Sequence, residues 1–253
     1  MGKSMMTLAV ACLLMGGATQ LRAEETDARA LVAQTLEALP QNSLEAKMTV
    51  SSKDFQPREL RMVRKYVHGA NGTYLEVLAP DDLEGIRFLF LERANQPNEQ
   101  YIKVKASRSA IQVSEEVRRQ PFLGSTFYVS DLVMPNIDDY TYKYVGKDVV
   151  GERTVTLVEM TPKSKEDQLY GKTVVAIDPT EHLVLRREFF NEDGKKVKVW
   201  TVDKLEKISG IWSLTGQKMQ NLEDGIESRI DVSEVKFDTK VDDAIFTPRY
   251  LLR

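Results

Sequence analysis

Cysteine is nearly missing from this 253-residue chain, its one copy being Cys12 near the N-terminus. With no second cysteine the chain closes no internal disulfide, so its stability rests on packing. Histidine is almost as scarce: His68 and His182 stand far apart, each alone in a strand-like run. They read as ordinary strand residues and not as metal ligands, because a metal site needs several donors brought together. No G-x-S-x-G elbow, Walker loop or G-x-G-x-x-G turn occurs, so acyl transfer, phosphoryl transfer and dinucleotide binding lack their signatures. Acidic pairs do occur at Asp81-Asp82, Asp138-Asp139 and Asp242-Asp243. Adjacent acids in polar turns are solvated surface, whereas glycoside hydrolysis needs carboxylates opposed across a cleft. The sequence therefore predicts no enzyme, no cofactor and no metal.

Long apolar runs are absent too. The only approach to one, Met5 to Met15, is about half of the roughly 20 residues that span a bilayer. Preceded by Lys3 and followed by Gly16, Gly17 and Ala18, it reads as the apolar segment of a secretory leader. Cleavage is expected after Ala23, leaving residues 24–253 as one soluble, exported domain. Lipid attachment at Cys12 is the weaker reading, since little apolar sequence precedes it. Nor is there an excess of positive charge. Loss of Lys3 and Arg22 from the 35 basic residues leaves 33 against 38 acidic ones, a net charge of −5. The charges are interspersed, which argues against nucleic acid as a partner.

What the chain does contain is strand-forming sequence. One helix precedes it: Ala28, Leu31, Val32, Thr35, Leu36 and Leu39 recur at three- and four-residue spacing, with Thr26 as N-cap, Asp27 in the first turn and Pro40 as the stop. From Leu44 the period changes to two. Leu60 to His68 alternates, and Asn71-Gly72 is expected to turn the chain into a strand over Thr73 to Leu78. Later runs at Tyr140–Val149, Arg153–Thr161, Thr173–Ile177, His182–Phe190, Lys196–Ile208, Ile211–Leu222 and Ile226–Phe237 are separated by turn sequences such as Asp178-Pro179-Thr180-Glu181 and Ser209-Gly210. This is an antiparallel meander, and no Pro/Ser-rich linker divides it. Ser107 to Met134 breaks the pattern as a mixed loop with short helical pieces and many large apolar residues, suited to a lid or plug over the sheet.

Three stretches carry a family resemblance. They are Leu75-Glu76-Val77-Leu78-Ala79-Pro80-Asp81-Asp82-Leu83-Glu84-Gly85-Ile86-Arg87-Phe88-Leu89, Pro121-Phe122-Leu123-Gly124-Ser125-Thr126-Phe127-Tyr128-Val129-Ser130-Asp131-Leu132, and the final sheet with Trp212-Ser213-Leu214 and the closing Ala244-Ile245-Phe246-Thr247-Pro248. In this order they resemble the larger, LolA-like branch of the outer-membrane lipoprotein-sorting proteins. Val129-Ser130 departs from the pattern, since many relatives carry a Tyr–acid pair before the Asp-Leu. The resemblance implies a mainly β fold with some α (α+β): an incomplete, strongly curved antiparallel β-barrel with an N-terminal helix and a helical lid in its concavity. It also implies a monomeric periplasmic carrier whose apolar hollow holds lipid or lipoprotein acyl chains, working with an inner-membrane transporter.

The candidate lipid-binding residues are the apolar members assigned to one face, Leu60, Met62, Tyr66, Tyr74, Leu78, Phe88 and Phe90, joined by Phe122, Leu123, Phe127 and Leu132 from the loop. The same residues would serve as plain core, as half-buried strands are apolar on one face in any case. A structural or regulatory module that docks on a membrane transporter is the alternative function. A hollow favours the carrier; a filled core with an exposed apolar patch favours the module.

Overall fold

The computed structural model describes residues 27–93, 96–133, 135–164 and 169–253. The expected leader with Cys12, the Thr26 cap and Met134 lie outside the described residues. Helix α1 spans residues 27–37 and ends before Pro40, as its sequence spacing predicts. Its Thr35 hydroxyl, buried in the protein, donates to the Leu31 carbonyl at 2.8 Å and so enters an apolar setting with its polar group satisfied.

Thirteen strands follow: β1 (Leu44–Ser52), β2 (Phe55–Val67), β3 (Ala70–Ala79), β4 (Arg87–Glu92), β5 (Glu99–Lys103) and β6 (Ile111–Gln112), then β7 (Tyr140–Val150), β8 (Arg153–Pro162), β9 (Lys172–Asp178), β10 (Leu183–Phe190), β11 (Lys196–Ile208), β12 (Ile211–Asn221) and β13 (Glu227–Phe237). They make one antiparallel sheet in the order β6-β5-β4-β3-β2-β1-β13-β12-β11-β10-β9-β8-β7. Each half is thus a meander, and the halves join where β1 pairs with β13, from Leu44↔Phe237 to Ser52↔Ser228. The edges β6 and β7 do not pair, so the barrel stays open. The segment between them holds the short helix α2 (Glu115–Arg118) and 3-10 turns at Phe122–Gly124 and Val129–Leu132, and it plugs the inner face.

The β2–β3 turn corrects the sequence expectation. It is made by His68 and Gly69, both at positive φ (52° and 74°), while Asn71 and Gly72 lie inside β3 opposite Tyr66 and Lys65. Two consecutive positive φ values match the twist of a two-residue hairpin. Gly72 has a different use: a Cβ there would lie 2.5 Å from Cδ1 of Phe246. It lets the C-terminal segment press onto the strand.

That segment makes β2–β5 a two-sided layer. On the outer face, Val63, Tyr74, Leu89 and Leu91 pack beneath Val241, Ile245, Phe246 and Leu251, and the rings of Tyr74 and Tyr250 meet edge to face at 5.6 Å. On the inner face, Met48, Val50, Leu60, Leu75, Phe88 and Phe90 meet Phe122, Phe127 and Val129 of the plug and Trp200, Met219 and Ile230 from the other half. Helix α1 covers the inner face of the far half, where Ala28 and Val32 pack against Tyr142, Val158, Met160 and Val175.

Phe246→Ala should cost about 3–5 kcal/mol of unfolding free energy, the usual range for a fully buried Phe. In urea unfolding, Gly72→Ala should destabilise the wild type through the Phe246 clash yet be neutral or stabilising in the Phe246→Ala background. Additive effects would mean that the ring and the glycine do not share a contact.

Candidate ligand-binding site

The plug is shaped by its own backbone. Leu123 and Gly124 both take positive φ (51° and 78°), turning the chain so sharply that the Phe122 amide donates to the Phe127 carbonyl at 2.7 Å. The Ser125 hydroxyl closes the same turn on the Phe122 carbonyl at 2.7 Å. Both phenylalanines are driven into the sheet, and the Phe122 and Phe88 rings lie 5.0 Å apart.

Polar contacts fasten the plug to the other half. The Thr126 amide donates to Ser228 Oγ (3.0 Å), its hydroxyl to the Met219 carbonyl (2.7 Å), and its own carbonyl accepts from Lys198 Nζ (2.7 Å). Asp131, at the end of the motif, accepts from the Tyr128 amide (2.8 Å) and the Tyr170 hydroxyl (3.0 Å) and lies 3.7 Å from Lys198 Nζ. Both charged side chains are almost wholly buried. Burial pushes the Asp131 carboxyl above its usual pKa against the pull of Lys198, and pushes the Lys198 ammonium down to about 8 against the pull of Asp131. Arg187, stacked over the Trp200 ring at 4.8 Å, is likewise lowered by burial.

Two cavities of about 310 Å³ each remain on the inner face. Thr35, Asp131, Val133, Val184 and Arg187 line both and form the partition between them. The first runs from Met48, Met62, Leu75, Phe90, Phe127, Trp200 and Ile230 to a rim at Leu39, His182 and Trp212. The second lies between the unpaired sheet edges, with Gln100 from one side and Tyr140, Met160 and Thr173 from the other.

Of the candidate residues, Met62, Phe90, Phe127 and Leu132 line the first cavity. Leu60, Phe88, Phe122 and Leu123 pack in the same inner cluster. Tyr66, Tyr74 and Leu78 are not brought to the hollow: Tyr66 is 48% and Leu78 47% exposed, and Tyr74 is buried in the outer layer under Tyr250. The register explains two of these. Leu60 pairs with Val77 and Met62 with Leu75, and directly opposed residues share a face, so the odd positions of β3 point inward and Tyr74 and Leu78 outward. Tyr66 has the inward parity but sits at the hairpin end of β2. Sequence reasoning missed Leu75, Trp200 and Ile230, the second cavity, and the charges Arg187 and Lys198. A signal for Lys198 was present, since it shares strand parity with Trp200 and Val202, where an apolar residue would be expected.

Comparison with known proteins follows the same lines. A family model whose description reads "Uncharacterized protein" matches residues 69–253. No curated protein matches the sequence. Among solved structures, a Vibrio parahaemolyticus chain described as an outer membrane lipoprotein-sorting protein domain superposes with a TM-score of 0.83 at 21% identity, covering 90% of this chain and all of that one (100%). A DUF1329 family protein from Desulfovibrio piger gives 0.80 at 21% identity, over 90% of this chain and 99% of the other. A LolA superfamily protein from Nitrosomonas europaea gives 0.65 at 18%, over 88% and 98%. These likenesses show the fold.

The depressed Lys198 pKa sets a pH dependence. Between about 8 and the ordinary 10.5 the unfolded chain holds a proton that the native Lys198 has lost, so this group makes stability rise with pH in that window. Measured by urea unfolding from pH 8 to 10, wild-type stability relative to Lys198→Met should climb by up to about 1.4 kcal/mol per pH unit. A constant difference would mean that Lys198 titrates as a solvated lysine.

Proposed function

We propose, from the premise that this chain belongs to a LolA-like family, that it is a non-catalytic periplasmic carrier. It binds a lipid, or the acyl chains of a lipoprotein, and moves it toward the outer membrane. The observation that carries this reading is the first cavity: an apolar space of about 310 Å³ that side chains of the inner face leave unfilled. Small-molecule sites begin at roughly this size. Micromolar affinity, about −8 kcal/mol, corresponds to burying roughly 330 Å² of apolar ligand surface before ordering costs, which about ten acyl methylenes supply. Those costs also keep release accessible, as a carrier requires.

In this reading the first 23 residues direct export and are removed, and the monomer receives its cargo from an inner-membrane transporter. The docking-module alternative draws support from β7, an unpaired edge on which Tyr144, Val145 and Val149 are exposed.

Met62→Glu and Leu132→Glu place a carboxylate in the first cavity without touching the deepest core. Each should weaken binding of a fluorescent fatty acyl probe by about tenfold or more, since 1.4 kcal/mol is a factor of ten, while the circular dichroism of the sheet stays unchanged. If the wild type binds no probe and copurifies with no lipid, the carrier reading gives way to the docking module.

A further inference from the structure

The rim of the first cavity differs chemically from its depth. The deep wall is mainly apolar, with Met48, Met62, Phe90 and Trp200, although Arg64, Glu92, Asp131 and Arg187 also line the cavity. At the rim, His182 Nδ1 and Trp212 Nε1 are both buried without a hydrogen-bond partner among the described residues. A buried N–H left unmatched costs free energy that an incoming acceptor would recover. His182 closes the β9–β10 turn at φ 53°, as His68 does at φ 52° in the β2–β3 turn.

Two cations flank the same indole. Arg153 stands 4.7 Å from the Trp212 ring centroid and Lys207 5.1 Å from it. Arg153 is committed: it is paired with Asp178 at 2.5 Å, and Asp178 also accepts from the turn amides of Thr180 (2.9 Å) and Glu181 (3.2 Å). Lys207 is exposed and has no ion-pair partner among the described residues. The nearby Glu206 is engaged by Lys204 at 3.5 Å. The cavity lining thus offers two unmatched ring nitrogens, and Lys207, outside that lining, sets one uncommitted positive charge against the Trp212 ring.

We infer that this rim is a headgroup site for the phosphate of a glycerophospholipid, whose acyl chain runs inward past Met62 and Phe90. The phosphate oxygens accept from Trp212 Nε1 and from His182 and lie beside the Lys207 ammonium, a charge-assisted arrangement that a neutral lipid cannot match. The inference deepens the carrier reading and rests on it. It selects phosphate-bearing amphiphiles over acyl chains in general, including those of a lipoprotein whose head lacks phosphate.

The test uses the mature full chain, an acyl fluorophore in the cavity, and three competitors below their micelle concentrations: dioctanoyl phosphatidylglycerol, dioctanoylglycerol and inorganic phosphate. Phosphatidylglycerol should displace the probe about tenfold better than the neutral lipid, and Trp212→Phe or Lys207→Gln should each cut that preference by about threefold or more. Inorganic phosphate should not displace it. Equal displacement by the two lipids, displacement by phosphate alone, or variants that weaken both lipids equally would overturn the headgroup site and leave the carrier reading standing. Absence of probe binding to the wild type would overturn both. Lys207→Gln alters only an exposed side chain, so the test does not depend on the indole variant folding.

Discussion

The pairing of β1 with β13 is the constraint on which the rest depends. It joins residues near the two ends of the described chain, and without it the sheet would be two separate meanders with four edges. Because it exists, Phe88 and Phe90 from one half and Trp200 and Met219 from the other face a common interior. Closing so long a loop is entropically costly, and the return is an inner surface larger than either half could present. The sheet then curves without closing, and that leftover space is what the plug and α1 partly occupy.

The plug is held by unlike chemistry on its two sides. Toward β4 it uses aromatic contact, Phe122 on Phe88, which tolerates small shifts. Toward β11–β13 it uses directional bonds from Thr126 and the buried Asp131–Lys198 pair, which specify one position. A buried ion pair is weak evidence of net stability, because desolvation offsets most of the attraction. Its effect here is on placement: moving the plug away would separate Asp131 from Lys198 and Tyr170 at once.

Much of the sheet was legible in the sequence, and the reason is its hairpins. Lys196 to Ile208 is a strand to the residue, and the other runs of the second half agree within one residue at either end, because turn residues such as Ser209-Gly210 mark their limits. Helix α1 was legible from its apolar spacing. The start of β2 was not: Pro57 argues against a strand, yet it is tolerated where the β1–β2 register shifts between Val50 and Ser52. The Asn71-Gly72 signal misled because a glycine chosen for close approach looks the same as one chosen for a turn. At the cavity, apolar character was visible but register was not. Tyr74 and Leu78 are as apolar as Leu75, and only the opposed pairs Leu60↔Val77 and Met62↔Leu75 fix which of them face inward. Buried charges such as Lys198 and Asp131 contradict the apolar pattern of their surroundings, as functional or tightly specified positions often do.

The C-terminal cover over β2–β5 has a mechanical consequence. One wall of the hollow is double-layered, with Phe246 and Leu251 pressed onto it from outside. The wall formed by β12 and β13 has a single layer there, its outer surface carrying the ion pairs of Lys218, Arg229, Asp203 and Asp231. Half-buried ion pairs on a single-layered wall resist bending less than packed aromatic layers do. The container therefore has one stiff wall and one compliant wall, and an occupant of larger girth would be accommodated by elastic outward bending of β12 and β13 against a fixed opposite side.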